Sequence, residues 1–242
     1  MANNARHREV LVSSTNPNSG LPEHAVLRYS VTSRRDDLVN VIMDMISSEV
    51  LTSGNLMSEN DLAEMLSVSR TPIREALAIL GHDGLIQQIP QVGFRVLEIT
   101  EVDISLIMDM RFGVEPLIAS RIAVQATDEV LWRLDAILHE TEYAPAGERF
   151  ASNDTNFHVA MAEAAGFRSG ARTLVTWRNQ MRSFRARQPL TESERQAIIV
   201  EHRSIFKAVQ SQHEDTAAAA MKHHLQETRS RILKIHTREE QP

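Results

Sequence analysis

The pattern of this chain changes character once, near residue 99, and that change limits what it can fold into more than any other feature. Before it, short helical stretches and β-like runs follow one another closely. After it the sequence supports helix alone, with segments at 101–125, 128–143, 147–165, 168–187, 191–211 and 213–237. Breaks fall at Thr127-Asp128, Ala144-Pro145, Gly166, Pro189 and Gln212, and no internal repeat is visible. Thr100, with Asp103 three residues on, reads as an N-cap followed by a first-turn acid. The expected fold is therefore mainly α: a small mixed domain over 33–99 and an all-α antiparallel helical bundle over 100–238. Residues 1–32 are rich in Asn, Ser, Pro and His, and Ser13–Gly20 carries no periodicity, so this segment is expected to be a disordered tail.

The small domain has its own order. Leu38, Ile42, Met45 and Ile46 recur at helical spacing, and Thr52-Ser53-Gly54 ends that helix. Ser58 caps a second helix over Glu59–Leu66, with Asp61 at its third position. Ser67-Val68-Ser69 makes a tight turn into a third helix near Arg70, which tolerates Pro72 in its first turn and ends at Gly84. Leu85–Ile89 and Phe94–Leu97 flank Pro90-Gln91-Val92-Gly93 as a hairpin. Together these form a winged helix-turn-helix, whose third helix suits the major groove of double-stranded DNA. Arg70 and Arg74 lie one turn apart on its N-terminal half, and Ser69 and Thr71 add short hydroxyls. Arginine bonds guanine O6 and N7, or a phosphate, through two parallel hydrogen bonds. By spacing alone, two solvated arginines on an ordinary α/β surface explain the pattern as well.

The run Leu62-Ala63-Glu64-Met65-Leu66-Ser67-Val68-Ser69-Arg70-Thr71-Pro72-Ile73-Arg74-Glu75-Ala76-Leu77 continues with Asp83-Gly84-Leu85-Ile86 and Gly93-Phe94-Arg95-Val96. It closely resembles the GntR family of bacterial transcription regulators. The resemblance implies DNA contacts from Ser69, Arg70, Thr71, Arg74 and the wing residue Gly93. One departure is Asn60, where members often carry a basic residue. The charge is also unusual for a DNA binder. The whole chain is formally -6, and residues 33–98 hold five basic against ten acidic residues. Phosphate neutralisation supplies most non-specific affinity, so a homodimer on two half-sites of operator DNA is expected.

In the helical half, Asp154 and His158 stand at i and i+4, on a face continued by Met161 and Ala165. His202 shares a stripe with Ile198, Ile205, Phe206 and Val209, and His224 shares one with Ala217, Met221, Thr228 and Ile232. Three histidines and an aspartate thus project inward from three helices. Buried imidazoles need partners, and two solutions stand side by side: separate hydrogen-bonded core groups, or one shared divalent ion. There is no cysteine, so any metal is held by imidazole and carboxylate, a set suited to Zn, Ni or Mn.

Residues 101–237 resemble the FCD ligand-binding domain of the FadR subgroup of that family. The matching pieces are Arg111 with Glu115-Pro116, Asp154 to His158, Glu201-His202-Arg203 and Met221-Lys222-His223-His224-Leu225. The resemblance implies a metal site formed by Asp154, His158, His202 and His224. Gly166-Phe167 departs from the usual Gly-Asn. Arg111 reads equally as an ion-pair partner of Glu115 at i+4 and, by resemblance, as a pocket arginine for a small carboxylate effector. The arginines from Arg168 to Arg187 read mostly as a solvated or salt-bridged face, with room for one to line a pocket. The expected protein is a ligand-responsive regulator acting as a repressor, not an enzyme. Two rivals remain open: a sensor for which the ion itself is the signal, and a metal-dependent hydrolase. No apolar run reaches the roughly 18–20 residues that span a bilayer and no signal-peptide core is visible, so the expectation is a cytoplasmic protein without membrane contact.

Overall fold

The computed structural model describes residues 8–12, 27–31, 35–48, 50–144, 148–185 and 190–239. The chain divides into two compact units: residues 1–100 with Asn179–Arg187, and residues 101–178 with 188–242.

In the first unit, β1 (Arg8–Val12) pairs antiparallel with β2 (Leu27–Val31), from Arg8 opposite Val31 to Val12 opposite Leu27. The sequence reading expected a disordered tail here. Five residues of pairing on each side of an Asn-, Ser- and Pro-rich segment leave little periodicity to read. The expectation for the intervening Ser13–Gly20 lies outside the described residues.

Helix α1 (Arg35–Ser47) buries Leu38, Ile42 and Met45 completely. A short strand β3 (Leu56–Met57) precedes α2 (Glu59–Met65). Ser58 caps α2 by accepting from the Asp61 amide, as its sequence position predicts. After Ser67, in the left-handed region at φ 53°, the chain enters α3 (Arg70–His82). Its apolar stripe, Ile73, Ala76, Leu77 and Leu80, is fully buried against Leu38, Leu62 and Leu66. The wing strands β4 (Ile86–Ile89) and β5 (Gly93–Val96) are antiparallel, and β3 adds to the other edge of β5 to give the order β3-β5-β4. Two residues are too few to give β3 a periodicity of its own, so the hairpin was legible and its third strand was not. The last residues of α7, described below, belong to this unit: Asn179 and Gln180 donate to the Asp83 side chain and carbonyl at 2.9 and 2.7 Å, and Arg182 pairs with Asp44.

The second unit is built of α4 (Glu101–Gln125), α5 (Asp128–Tyr143), α6 (Glu148–Ala164), α7 (Arg168–Arg185), α8 (Glu192–Gln210) and α9 (Glu214–Glu239). Thr127 caps α5, and Thr191 with Glu194 forms a reciprocal capping box on α8. The breaks read from Gly166 and Gln212 are real, with both residues at positive φ. Pro116 lies inside α4 without ending it, although it removes one helical hydrogen bond. Helix α4 packs on α9 and α8, and α5 packs on α6 and α8. Ile107, Ile122, Leu134, Leu138, Phe157, Leu174, Ile205 and Leu225 fill the core between them. Among the described residues no helix is long and apolar enough to cross a membrane.

Candidate functional site

Two sites emerge. In the first unit, Ser69 sits at the N-cap of α3 in an extended conformation, and its side chain makes no capping bond. Ser69, Arg70, Thr71 and Arg74 are all exposed. Burial of Ile73 and Leu77 on one side of α3 leaves the others facing out, which follows from 3.6-residue periodicity. The Arg74 Nε donates to Glu59 Oε2 at 2.5 Å, so in the free protein that guanidinium is held by the first residue of α2. Arg95 is exposed on the wing strand β5, and Asn60 is exposed on α2. Gly93 has a packing role the sequence did not reveal. Its φ is 150°, and a Cβ there would lie 2.1 Å from the Met57 carbonyl oxygen, so β3 can approach only a glycine.

In the second unit, the three histidines read from apolar stripes converge. His158 on α6, His202 on α8 and His224 on α9 are almost fully buried, and each offers a ring nitrogen within 4.8 Å of the others. The Nε2 atoms of His158 and His202 are 3.3 Å apart. Two imidazole nitrogens that share one ion at about 2.1 Å lie roughly 3.0–3.4 Å apart, so the spacing fits a common metal. The outer nitrogens fit as well. Nδ1 of His158 bonds Glu115 Oε2, and Nδ1 of His224 bonds Glu201 Oε2 at 2.8 Å. A carboxylate on Nδ1 fixes the tautomer that leaves Nε2 as a bare lone pair, the arrangement that metal-binding histidines use. Nδ1 of His202 is buried without a hydrogen-bond partner, while its ring stacks on Phe157 at 4.7 Å between centroids.

Asp154 stands at the rim. Its Oδ1 is 3.3 Å from His202 Nε2, and its other oxygen pairs with Arg178 of α7. The structure therefore brings all four expected ligands together, with the aspartate shared by an arginine. Arg111 is buried and donates from Nε to Glu115 Oε1 at 2.5 Å. That is the i,i+4 pair the spacing allowed, and through Glu115 it joins the histidine cluster. Glu201 is likewise held by Arg231 at 2.7 and 2.8 Å. Each carboxylate around the cluster thus has its own arginine. Burial, aided by the neighbouring His224 and His158, pushes His202 well below the usual histidine value. Burial, with His158 and Arg111 beside it, does the same for His224. Burial alone would raise Glu115, but Arg111 and His158 hold it well below the usual carboxylate range.

Sequence reasoning missed Arg231 and the bonds from Glu115 and Glu201 to histidines. Glu115 and His158 are 43 residues apart, so no local spacing could connect them. Arg178 was legible only as one member of an arginine run.

Fold and site together define a winged helix-turn-helix protein with a helical domain built around a histidine cluster. Residues 35–96 match the description "Bacterial regulatory proteins, gntR family", and residues 106–227 match the FCD domain. The chain belongs to the GntR family of transcription regulators, with an FCD domain as its second part. It is 29% identical over 199 residues to the gluconate operon transcriptional repressor of Bacillus licheniformis, which covers 77% of this chain and 80% of that one. It is 28% identical over 189 residues to the transcriptional repressor RspR of Escherichia coli K12, covering 77% and 83%. Among solved structures, E. coli McbR/YncC superposes with a TM-score of 0.68 at 17% identity, covering 84% of this chain and 98% of the other. A GntR regulator of Rhodococcus sp. RHA1 gives 0.64 at 23%, covering 84% and 99%. At such identities these two likenesses concern the fold alone.

Proposed function

We propose that the chain is an operator-binding repressor, acting as a homodimer, whose affinity for DNA is set by a small organic acid bound at a divalent metal in the helical domain. The observation that supports this most directly is the buried cluster of three histidines with carboxylates on two of its outer nitrogens. His158, His202 and His224 would hold the ion through Nε2, and Asp154 would complete the set. A Zn, Ni or Mn ion there would offer remaining positions to a carboxylate and a neighbouring hydroxyl of the effector. Arg111 and Arg178, each already paired with a carboxylate, supply positive charge beside that ligand.

Helix α7 offers the route to DNA. Arg178 holds Asp154, while the next two residues, Asn179 and Gln180, hold Asp83 at the C-cap of α3. An effector that draws Asp154 away from Arg178 alters the hold on α7, and α7 is bonded to the end of the helix that reads DNA. Such a ligand shifts the equilibrium only as far as it prefers one state.

The test is calorimetry with a panel of sugar acids and hydroxy acids on metal-loaded protein, metal-stripped protein and Arg111→Ala. The proposal expects binding that is lost on stripping and weakened in Arg111→Ala. Acid binding indifferent to both overturns it. Elemental analysis of gently purified protein tests the metal by itself.

A further inference from the structure

Away from the histidines, a cleft of about 600 Å³ opens between α5, α6 and the first turns of α7, wholly within the second unit. Its floor is apolar: Val130 and Leu134 of α5, and Ala160 and Ala164 of α6. The two alanines leave space that larger side chains would fill. On α6 the lining positions Ala160, Glu163 and Ala164 lie about 140–240° round the helix from His158, so the cleft is on the side turned away from the histidine cluster. Its rim is charged and one-sided. Arg133, Arg168 and Arg172 stand against one acid, Glu163. Arg133 takes up that acid, donating to it at 2.8 Å. Arg168 and Arg172 have no ion pair or side-chain hydrogen bond among the described residues. They stand one turn apart, and α7 contains no acid in its 18 residues. Like charges at that spacing repel, and the positive end of the α7 dipole lies beside them. A merely solvated arginine face needs no recess, whereas these two unpaired guanidiniums border an apolar one.

We propose that this cleft binds a phosphate monoester with a compact apolar body, at a site separate from the histidines. The charge decides the class. Two uncompensated guanidiniums at a helix start call for more than one negative charge. A phosphate monoester carries about −1.5 to −2 at neutral pH and offers three oxygens to the guanidinium forks, whereas a carboxylate or a sulfate ester carries a single charge. The floor then favours an ester over free phosphate, because a carbon body buried against Val130 and Leu134 adds to the affinity. Helix α7 also supplies Arg178 to Asp154, so the ester would be held by the helix that borders the histidine cluster. This site goes beyond the function proposed above and does not rest on the metal.

Phenyl phosphate is the probe, titrated by calorimetry into the full chain before and after chelator treatment. Phenyl sulfate has the same body with one charge, and inorganic phosphate has the charge without the body. Phenyl phosphate is expected to bind at one site per chain, roughly tenfold more tightly than either control, and equally with and without chelator. Arg168→Ala/Arg172→Ala is expected to lose most of that affinity. Both residues are exposed, and circular dichroism verifies the fold. Glu163→Gln removes the one acid of the lining and is expected to bind several-fold more tightly, a gain that unfolding cannot produce. Unchanged affinity in the double arginine variant overturns the site, and if that variant unfolds, unchanged or weaker binding by Glu163→Gln overturns it instead. Equal binding of phenyl phosphate and inorganic phosphate means an adventitious ion only and overturns it too. Binding abolished by the chelator moves the ester to the histidines and also contradicts the site. Loss of the organic-acid response with this binding intact counts against the function proposed above alone.

Discussion

At the scale of single residues, the account turns on which groups are held and by what. Arg74 is held by Glu59 in the free protein, and under the proposed reading it exchanges that partner for DNA. Arg74→Ala is expected to weaken operator binding by about 1–3 kcal/mol, and equal gel-shift affinity for variant and native protein would count against it. Glu59→Ala releases the same guanidinium and is expected to strengthen binding modestly. The histidines make a prediction about acid. In the unfolded chain His202 and His224 take up protons below their ordinary value of 6.5, while burial keeps them neutral in the fold. The unfolded state then binds more protons, so the stability of metal-free protein is complete above about pH 6.5 and falls as pH drops below it. Glu115, depressed in the fold from 4.5, acts in the same direction at lower pH. Thermal melts of stripped protein between pH 7.5 and 5 are the measurement, and a melting temperature that rises on acidification contradicts the burial argument.

At the scale of elements, helix boundaries were legible because their causes are local. Ser58, Thr127 and Thr191 cap the helices that follow them, and Gly166 and Gln212 turn where they were read to turn. The convergence of the histidines was legible because each sits on an apolar stripe, and a stripe faces a core. What surrounds the histidines was not legible. Glu115, Glu201 and Arg231 meet their partners across helices, and the sequence separation of Glu115 from His158 carries no local signal. Strands β1 to β3 were missed because pairing, not periodicity, defines them. Gly93 shows how a family motif joins two causes: the resemblance implies a DNA contact, and the structure adds the close approach of β3. Gly93→Ala is expected to destabilise the winged unit, read as a lowered unfolding midpoint, because its Cβ would overlap the Met57 carbonyl. An unchanged midpoint with lost DNA binding would assign the residue to the interface alone. For α7, Asn179→Ala/Gln180→Ala removes both bonds to Asp83. Under the proposed route this variant retains effector binding but loses most of the effector's influence on DNA affinity, and full retention of that influence excludes the route.

At the scale of the whole molecule, charge and architecture point the same way. A winged unit with five basic and ten acidic residues over 33–98 gains little from phosphates alone, so in the proposed reading two heads on one operator and specific groove contacts would supply the affinity. The second unit would then both pair the heads and sense the ligand. The central claim is that metal, acid and DNA are linked through one protein, and linkage is measured most directly by operator affinity. Fluorescence anisotropy on a duplex selected by the protein from a random-sequence pool gives that affinity with and without a hydroxy acid identified by calorimetry. The account predicts that the acid changes the dissociation constant of metal-loaded protein at least several-fold, and changes that of stripped protein and of His202→Ala hardly at all. An equal response in all three, or no response in the metal-loaded protein, would contradict it.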